Sequence, residues 1–131
     1  VAPQDLLAVV ATLKTAKELS FDALMCLSGV DYPNLPDGKV GNFGVVYHLF
    51  SMQHRHKLVL RVELPKDNPS VASVANIWQT ANWFEREAYD LYGIKFDGHP
   101  NLTRILMPDD WEGHPMRKDY KYPETYRELP L

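Results

Sequence analysis

Two neighbouring stretches rich in β-forming residues constrain the fold more than any other feature of the sequence. Residues 42–52 are dense in β-branched and aromatic side chains, and in 57–64 leucine and valine recur at every second position among charged residues. Because successive side chains of a strand point to opposite faces, this alternation indicates a strand with one buried face. Only Gln53–His56 separates the two stretches, so they are predicted to form a β-hairpin and hence an antiparallel sheet.

Three further segments carry recognisable patterns. The apolar run at 21–30 precedes a Tyr-Pro-Asn turn signal, and its length is typical of a buried strand. Apolar residues recur at three- and four-residue steps in 3–19, which indicates an amphipathic helix. The same spacing runs through 69–92, where Pro69 suits the first position of a helix and Gly93 suits its end, so a second helix is predicted there.

The last part of the chain, residues 93–131, is too rich in Gly, Pro, Asn and Asp for another long element and is predicted to be an extended coil. A chain of 131 residues is long enough to bury one core, so a single domain is predicted over 1–131. The predicted fold class is α+β: a mainly antiparallel sheet of three or more strands, with two principal helices packed on it and a long C-terminal coil.

The composition argues against several classes of protein. A formal net charge of -3 provides no general basic field for a nucleic-acid backbone, so nucleic acid is not an expected partner. No window approaches the roughly 18 to 20 apolar residues that cross a bilayer, so the chain is expected to be soluble by itself. Cys26 is the only cysteine, so an intramolecular disulfide is impossible and its expected role is to fill apolar space.

Five histidines raise the hypothesis of a metal site, with His54 and His56 as its ligands. These two fall in the predicted turn, and no helical zinc motif or paired-cysteine spacing accompanies them. Exposed turn residues are therefore the favoured interpretation, and no metal is predicted. His48, in the second predicted strand, is expected to be a partly buried, hydrogen-bonded core residue.

Three acids, Glu85, Glu87 and Asp90, crowd the end of the second predicted helix. The carbonyl end of a helix carries partial negative charge, so an uncompensated carboxylate there costs roughly 0.3 to 1 kcal/mol. A catalytic acid–base pair is one explanation. However, Glu85 and Glu87 would lie about 200° apart around the helix and could not converge on one substrate atom. Ion pairing with nearby basic residues is the favoured explanation.

The candidate basic partners are Arg86, Arg104, Arg117 and Lys118. An arginine presents a planar fork that can hold a carboxylate through two hydrogen bonds. Arg104 and Arg117 are therefore predicted to pin the coil that follows Gly93 onto the acidic end of the helix.

A long signature in residues 84–120 resembles that of the 30 kDa subunit, also called the C subunit, of respiratory complex I, the proton-pumping NADH:quinone oxidoreductase. The stretch reads FEREAYDLYGIKFDGHPNLTRILMPDDWEGHPMRKDY. It combines E-R-E-x-Y-D-L, G-H-P-x-L-x-R-I-L-x-P and R-K-D-Y in the expected order. The preceding LSGVDYP is also similar to the family, so the resemblance covers most of the chain.

This resemblance implies a non-catalytic scaffold subunit in the peripheral arm of that complex, supporting electron transfer from NADH to quinone. It implies no cofactor on this chain, with FMN and iron–sulfur clusters in partner subunits and quinone reached only through the assembled complex. The chief implied partner is the homologue of the D subunit of complex I, called the D homologue below. The implied location is peripheral, on the cytoplasmic face of the bacterial inner membrane, or on the matrix side of a mitochondrion.

Two alternatives remain open. One is the equivalent subunit of a related membrane-bound hydrogenase or another complex I-like dehydrogenase. The other is a free-standing metal enzyme built on the histidines.

The positions that match the family pattern are carried over as structural residues or as residues that contact other subunits. They are Glu85, Arg86, Glu87, Asp90, Gly93, His99, Pro100, Arg104, Pro108, Arg117, Lys118, Asp119 and Tyr120.

The apolar side chains of the coil support a separate prediction. They are Ile105, Leu106, Met107, Trp111 and Met116. An apolar coil left in water is costly, so these residues, with Tyr120 and Tyr122, are expected to line the contact with the D homologue. Trp111 is expected to be an anchor of that contact, with sealing of the domain's own core as the alternative.

Overall fold

The computed structural model describes all residues from 1 to 131. A short 3-10 turn, Pro3–Asp5, leads into the first helix. The helices are α1 (Leu6–Thr15) and α2 (Ala81–Tyr92), and the strands are β1 (Ala23–Asp31), β2 (Phe43–Ser51), β3 (His56–Leu64), β4 (Ser70–Ala72), β5 (Lys95–Asp97), β6 (Thr125–Tyr126) and β7 (Leu129–Pro130).

The main sheet has three strands in the order β1-β2-β3, and both pairings are antiparallel. In the β2–β3 pair Tyr47 lies opposite Leu60 and Val45 lies opposite Val62, so the alternating apolar positions of the two strands share one face. The predicted hairpin is confirmed, although His56 is the first residue of β3 rather than the end of the turn.

The core lies between this face of the sheet and the helices. Helix α2 packs against β1, while Leu6 and Val10 of α1 are fully buried in the same cluster as Tyr47 and Trp78. The α+β class, with two principal helices on a mainly antiparallel sheet, is therefore confirmed. The other face of the sheet is open, and His48 is exposed on it. The prediction of a core position for His48 is wrong, because His48 alternates with the buried side chains of β2.

The predicted helix over 69–92 is wrong in its first half. Ser70–Ala72 is strand β4, which pairs in parallel with β5, and α2 begins only at Ala81. The helical spacing between Val74 and Trp78 arises from one short turn, in which the Trp78 N–H donates to the Val74 carbonyl. Pairing with β5 therefore overrides the local preference for helix that Pro69 and the apolar spacing indicate.

The first helix is also shorter than the predicted 3–19. It ends at Thr15, because Ala16 turns to an extended conformation and Ser20 takes a positive φ of 45°. These turns bring Phe21, which is 4% exposed, into the core, and its N–H donates to the Leu13 carbonyl. The strand predicted at 21–30 accordingly begins two residues later.

The segment 93–131 is mostly irregular, as predicted, but it is not wholly coil. It contains β5 and a small C-terminal hairpin made of β6 and β7. The helices α1 and α2 have 10 and 12 residues, and no helix has the length and apolarity needed to cross a membrane.

Candidate functional site

Four of the residues that match the family signature lie where the carbonyl end of α2 meets the segment that follows it: Asp90, Gly93, Arg104 and Arg117. Asp90 is fully buried there. Its Oδ1 accepts a hydrogen bond from Arg104 Nη1 at 3.0 Å, and its Oδ2 accepts the backbone N–H groups of Ile105, Leu106 and Met107 at 3.2, 2.7 and 2.8 Å. One carboxylate thus fixes three consecutive residues of the C-terminal segment against α2.

Arg104 also ties this segment to itself, since its Nη2 donates to the Gly113 carbonyl at 2.8 Å. Arg86, one turn before Asp90 on α2, donates to the carbonyls of Thr103 and Arg104 at 3.2 and 3.1 Å. The predicted ion pair between Arg104 and the helix end is therefore present, and Arg86 binds the backbone of the segment rather than a carboxylate.

Glu85 is a second fully buried acid, but it has no arginine partner. Its two oxygens accept hydrogen bonds from the Ser73 hydroxyl at 2.6 Å and the Val74 N–H at 2.7 Å. Burial raises the pKa of its carboxyl group to about 7, although both hydrogen bonds favour the ionised form. The expected compensation by a basic side chain is wrong for Glu85, because the turn after β4 supplies its donors instead.

Two histidines hold α2 by its backbone carbonyls. His99 Nε2 lies 3.0 Å from the Asn82 carbonyl, and His114 Nδ1 lies 3.0 Å from the Asp90 carbonyl. The Asn101 N–H donates to His99 Nδ1 at 3.0 Å, so Nε2 is the nitrogen that carries hydrogen and donates. His99 Nε2 also lies 3.9 Å from the Glu85 carboxylate. Burial lowers the pKa of the other histidine, His114.

His114 and Ser73 were not singled out by sequence reasoning. A signal for His114 was available, since Gly-His-Pro occurs twice, at 98–100 and 113–115. Both glycines have positive φ, 83° and 84°, so each motif turns the chain to aim its histidine at α2. Ser73 has no comparable signal, because its contact with Glu85 depends on where β4 pairs.

Gly93 ends α2 in the left-handed conformation, with φ 76°. A Cβ at this position would lie 2.6 Å from Arg117 Nη2 and 2.7 Å from the His114 ring, so only glycine allows these side chains to close over the helix end. Arg117 Nε donates to the Tyr92 carbonyl at 2.7 Å, and its guanidinium lies 4.9 Å from the centre of the Phe43 ring. The predicted pairing of Arg117 with an acid is therefore wrong, because its guanidinium caps the carbonyl end of the helix instead.

Lys118 reaches an acid that sequence reasoning overlooked. Its backbone N–H donates to Oδ2 of Asp31, the last residue of β1, at 2.8 Å. Asp31 is 6% exposed, and Lys66 Nζ lies 3.0 Å from its Oδ1. The position of Asp31 directly after the apolar run 21–30 was the feature of the sequence that could have indicated this contact. The Lys118 side chain itself is exposed, so this contact depends on backbone position rather than on lysine chemistry.

Trp111 lies outside the main core. Its Nε1 donates to the Tyr120 hydroxyl at 2.8 Å, and its ring centre lies 5.2 Å from that of Tyr126 in β6. Asp110 accepts hydrogen bonds from Arg127 and Tyr126 at 3.0 and 2.6 Å. These contacts fold the C-terminal hairpin back on the segment, so Trp111 does not seal the core of the sheet.

The remaining predicted contact residues, Pro100, Pro108, Asp119 and Glu87, are exposed. His54 and His56 stack with ring centres 5.5 Å apart, and His54 Nε2 lies 2.9 Å from the Lys17 carbonyl. No group of three or more His, Cys, Asp or Glu side chains is arranged to hold a metal ion. The buried acids and histidines of the site hold one segment of chain against another.

Comparison with known proteins agrees with this signature. Residues 1–126 match the family model described as respiratory-chain NADH dehydrogenase, 30 Kd subunit. A relative from Chloroherpeton thalassium, the C subunit of NADH-quinone oxidoreductase, is 50% identical over 120 residues, which are 91% of this chain and 48% of that protein. The chain thus spans about half the length of this curated relative.

Two solved structures are similar. The trypsin-resistant fragment of Nqo5 has 34% sequence identity and a TM-score of 0.68, covering 78% of this chain and 79% of the fragment. A chain of the archaeal membrane-bound sulfane sulfur reductase shares the fold, with a TM-score of 0.77 at 24% identity over 92% of this chain and 69% of that chain. The family match spans nearly the whole sequence, and the chain belongs to the 30 Kd subunit family of the respiratory-chain NADH dehydrogenase.

Proposed function

We propose that this chain is a non-catalytic scaffold subunit in the peripheral arm of a proton-pumping NADH:quinone oxidoreductase, and that it supports electron transfer from NADH to quinone without taking part in the chemistry. The observation that carries the proposal is the match of residues 1–126 to the family. The similarity to the Nqo5 fragment, at 34% identity, supports it independently. The function of the buried polar residues is then to fix the C-terminal segment in one conformation for binding.

The site chemistry supports a structural role. Asp90 already accepts four hydrogen bonds from the chain itself, and Glu85 is fully buried, so neither is placed to exchange a proton with a substrate in solution. FMN and the iron–sulfur clusters would belong to partner subunits, and quinone would be met only by the assembled complex. The D homologue is the proposed chief partner, and the proposed location is the cytoplasmic face of the inner membrane.

Assembly and turnover test this proposal together. In the organism that makes this chain, an affinity tag on it is expected to co-purify the subunits that hold flavin and clusters, and deletion of its gene is expected to abolish NADH:quinone activity in membranes. The purified chain alone should neither oxidise NADH nor show visible absorption. Turnover by the pure chain would overturn the scaffold role, and co-purification with a hydrogen-oxidising subunit would identify a hydrogenase-type complex instead.

Trp111 provides a test of the partner contact. In Trp111→Ala, the hairpin β6–β7 loses the ring that it packs against, so amides in 125–131 should exchange faster while those of the sheet stay protected. If the hairpin contributes to binding, affinity for the D homologue should fall by about 2 kcal/mol, or roughly 30-fold. Trp111→Phe, which keeps a ring but not the hydrogen bond to Tyr120, is the matched variant and should lose less. Loss of sheet protection in Trp111→Ala would instead mean that this residue serves the core.

A further inference from the structure

An apolar groove runs beside the first turns of α2, between this helix and residues 105–106 of the C-terminal segment. Trp83 and Phe84 form one wall and Ile105 and Leu106 form the other, around a volume of about 680 Å³. Trp83 is 69% exposed and Leu106 is 61% exposed. We call this feature the Trp83 groove. A tryptophan so exposed beside other apolar side chains is unfavourable in water and is typical of a surface that another protein covers.

Hydrogen bonds from two residues of α2 hold the groove open. Asp90 Oδ2 fixes the N–H groups of Ile105 and Leu106, and Arg86 fixes the carbonyls of Thr103 and Arg104. These hydrogen bonds fix the wall formed by Ile105 and Leu106 against α2. A partner that enters the groove does not have to order this wall, which leaves more of the interaction energy for binding.

A single carboxylate lies in the middle of the apolar surface. Glu87 lines the Trp83 groove on one side, and on the other it lines a smaller pocket that includes Leu91 and Met116. It is exposed, and no basic group of this chain forms a salt bridge with it. The adjacent Arg86 is turned away, towards the backbone of the C-terminal segment.

The spacing of these residues suits a helix as the occupant. Trp83, Glu87 and Leu91 are four residues apart and form one ridge of α2, and ridges of this kind pack into the grooves of a second helix. Apolar anchors at three- and four-residue spacing would fill the space beside Trp83 and Leu106. A cation on the same helix would match the charge of Glu87, which otherwise loses its hydration without a partner when the surface is covered.

We propose that the Trp83 groove receives an amphipathic helix of a neighbouring subunit, and that a lysine or arginine of this helix pairs with Glu87. The proposal rests on the proposed function, since it requires the chain to be part of a complex. It adds the position of one contact, the type of element that makes it, and the sign of the charge that the partner must carry. Ile105 and Leu106 also belong to the apolar set that the sequence predicts to contact the D homologue, so the groove extends that predicted contact to α2.

Variants in the assembled complex provide the first test. Trp83→Ala and Glu87→Lys should each lower the affinity of the full-length chain for the rest of the complex at least tenfold, measured by titrating the tagged chain onto complex that lacks it. Glu87→Gln, which removes the charge but not the shape, should lose less than Glu87→Lys. Val40→Ala and Glu18→Lys are the matched controls, because they change an exposed apolar and an exposed acidic residue elsewhere, and they should stay within twofold of the wild type.

A cross-link identifies the occupant. With p-benzoylphenylalanine in place of Trp83, irradiation of the complex should join this chain to a helical peptide of another subunit that contains a lysine or arginine. Changing that basic residue to glutamate should restore the binding of Glu87→Lys. A cross-link to a second copy of this chain, to lipid or to nothing, or variants that bind like the controls, would overturn the proposal. If the wild-type chain itself fails to join the complex, the proposed function fails instead.

Discussion

Replacing Asp90 with alanine is expected to lower the free energy of unfolding by about 3–5 kcal/mol, the range found when one partner of a buried ion pair is removed. The change leaves Arg104 Nη1 and three backbone N–H groups without their acceptor. Urea unfolding of the purified chain measures the loss. Hydrogen exchange should also show that the amides of 105–107 lose their protection before those of the sheet.

Glu87→Ala is the matched control for this prediction. It makes the same type of change on the same helix, but its side chain is exposed and forms no salt bridge, so the effect should stay within about 0.5 kcal/mol. A double-mutant cycle with Arg104→Ala isolates the ion pair, since the two residues should show a coupling of at least about 1 kcal/mol. If Asp90→Ala unfolds at the same urea concentration as Glu87→Ala, Asp90 does not hold the segment.

The contrast between Asp90 and Glu85 explains how much of the site could be predicted from sequence. The ion pair between Asp90 and Arg104 could be predicted because an acid at a helix end and an arginine in the following coil are close in sequence and opposite in charge. The donors of Glu85 come from the turn after β4, whose position depends on the pairing of β4 with β5. These two strands lie more than twenty residues apart in the sequence. Each has only three residues, which is too few to show the alternation of apolar and polar side chains that identifies a strand.

The same distinction applies to the fold. The hairpin β2–β3 could be predicted because its alternation and its short turn are both local. The error over 69–80 arose because Val74 and Trp78 have helical spacing although only one turn is formed between them. Charge alone favours an acid as the partner of Arg117, but the carbonyls at the end of α2 also lack partners within the helix, and Arg117 Nε donates to the Tyr92 carbonyl.

The buried Glu85 should make stability depend on pH in a direction opposite to that of most carboxylates. Burial raises the pKa of its carboxyl group from 4.5 to about 7 in the folded protein. Between these values the folded state holds a proton that the unfolded state has released, so the free energy of unfolding falls as pH rises through this window. The contribution amounts to a loss on the order of 3 kcal/mol from pH 4.5 to above pH 7.

Glu85→Gln isolates this contribution, because glutamine keeps the shape of the protonated acid and cannot ionise. The difference in the free energy of unfolding between wild type and Glu85→Gln should be small near pH 4.5 and should grow in favour of the variant up to about pH 8. Taking this difference cancels the slope from His114, whose lowered pKa makes acid, rather than base, destabilising.

The outcome also decides how Glu85 is held. Its carboxylate accepts two short hydrogen bonds, which favour the charged form, while burial favours the neutral form. The only basic nitrogen within 4.0 Å of it is His99 Nε2, at 3.9 Å, which donates to the Asn82 carbonyl. Parallel pH profiles for wild type and Glu85→Gln would mean that these bonds outweigh desolvation and that Glu85 is already ionised at pH 5. Diverging profiles would mean that the link between α2 and the turn after β4 is held by a neutral acid at low pH and is weakened as that acid ionises. Glu87→Gln, on the exposed side of the same helix, should leave the profile of the wild type unchanged in either case.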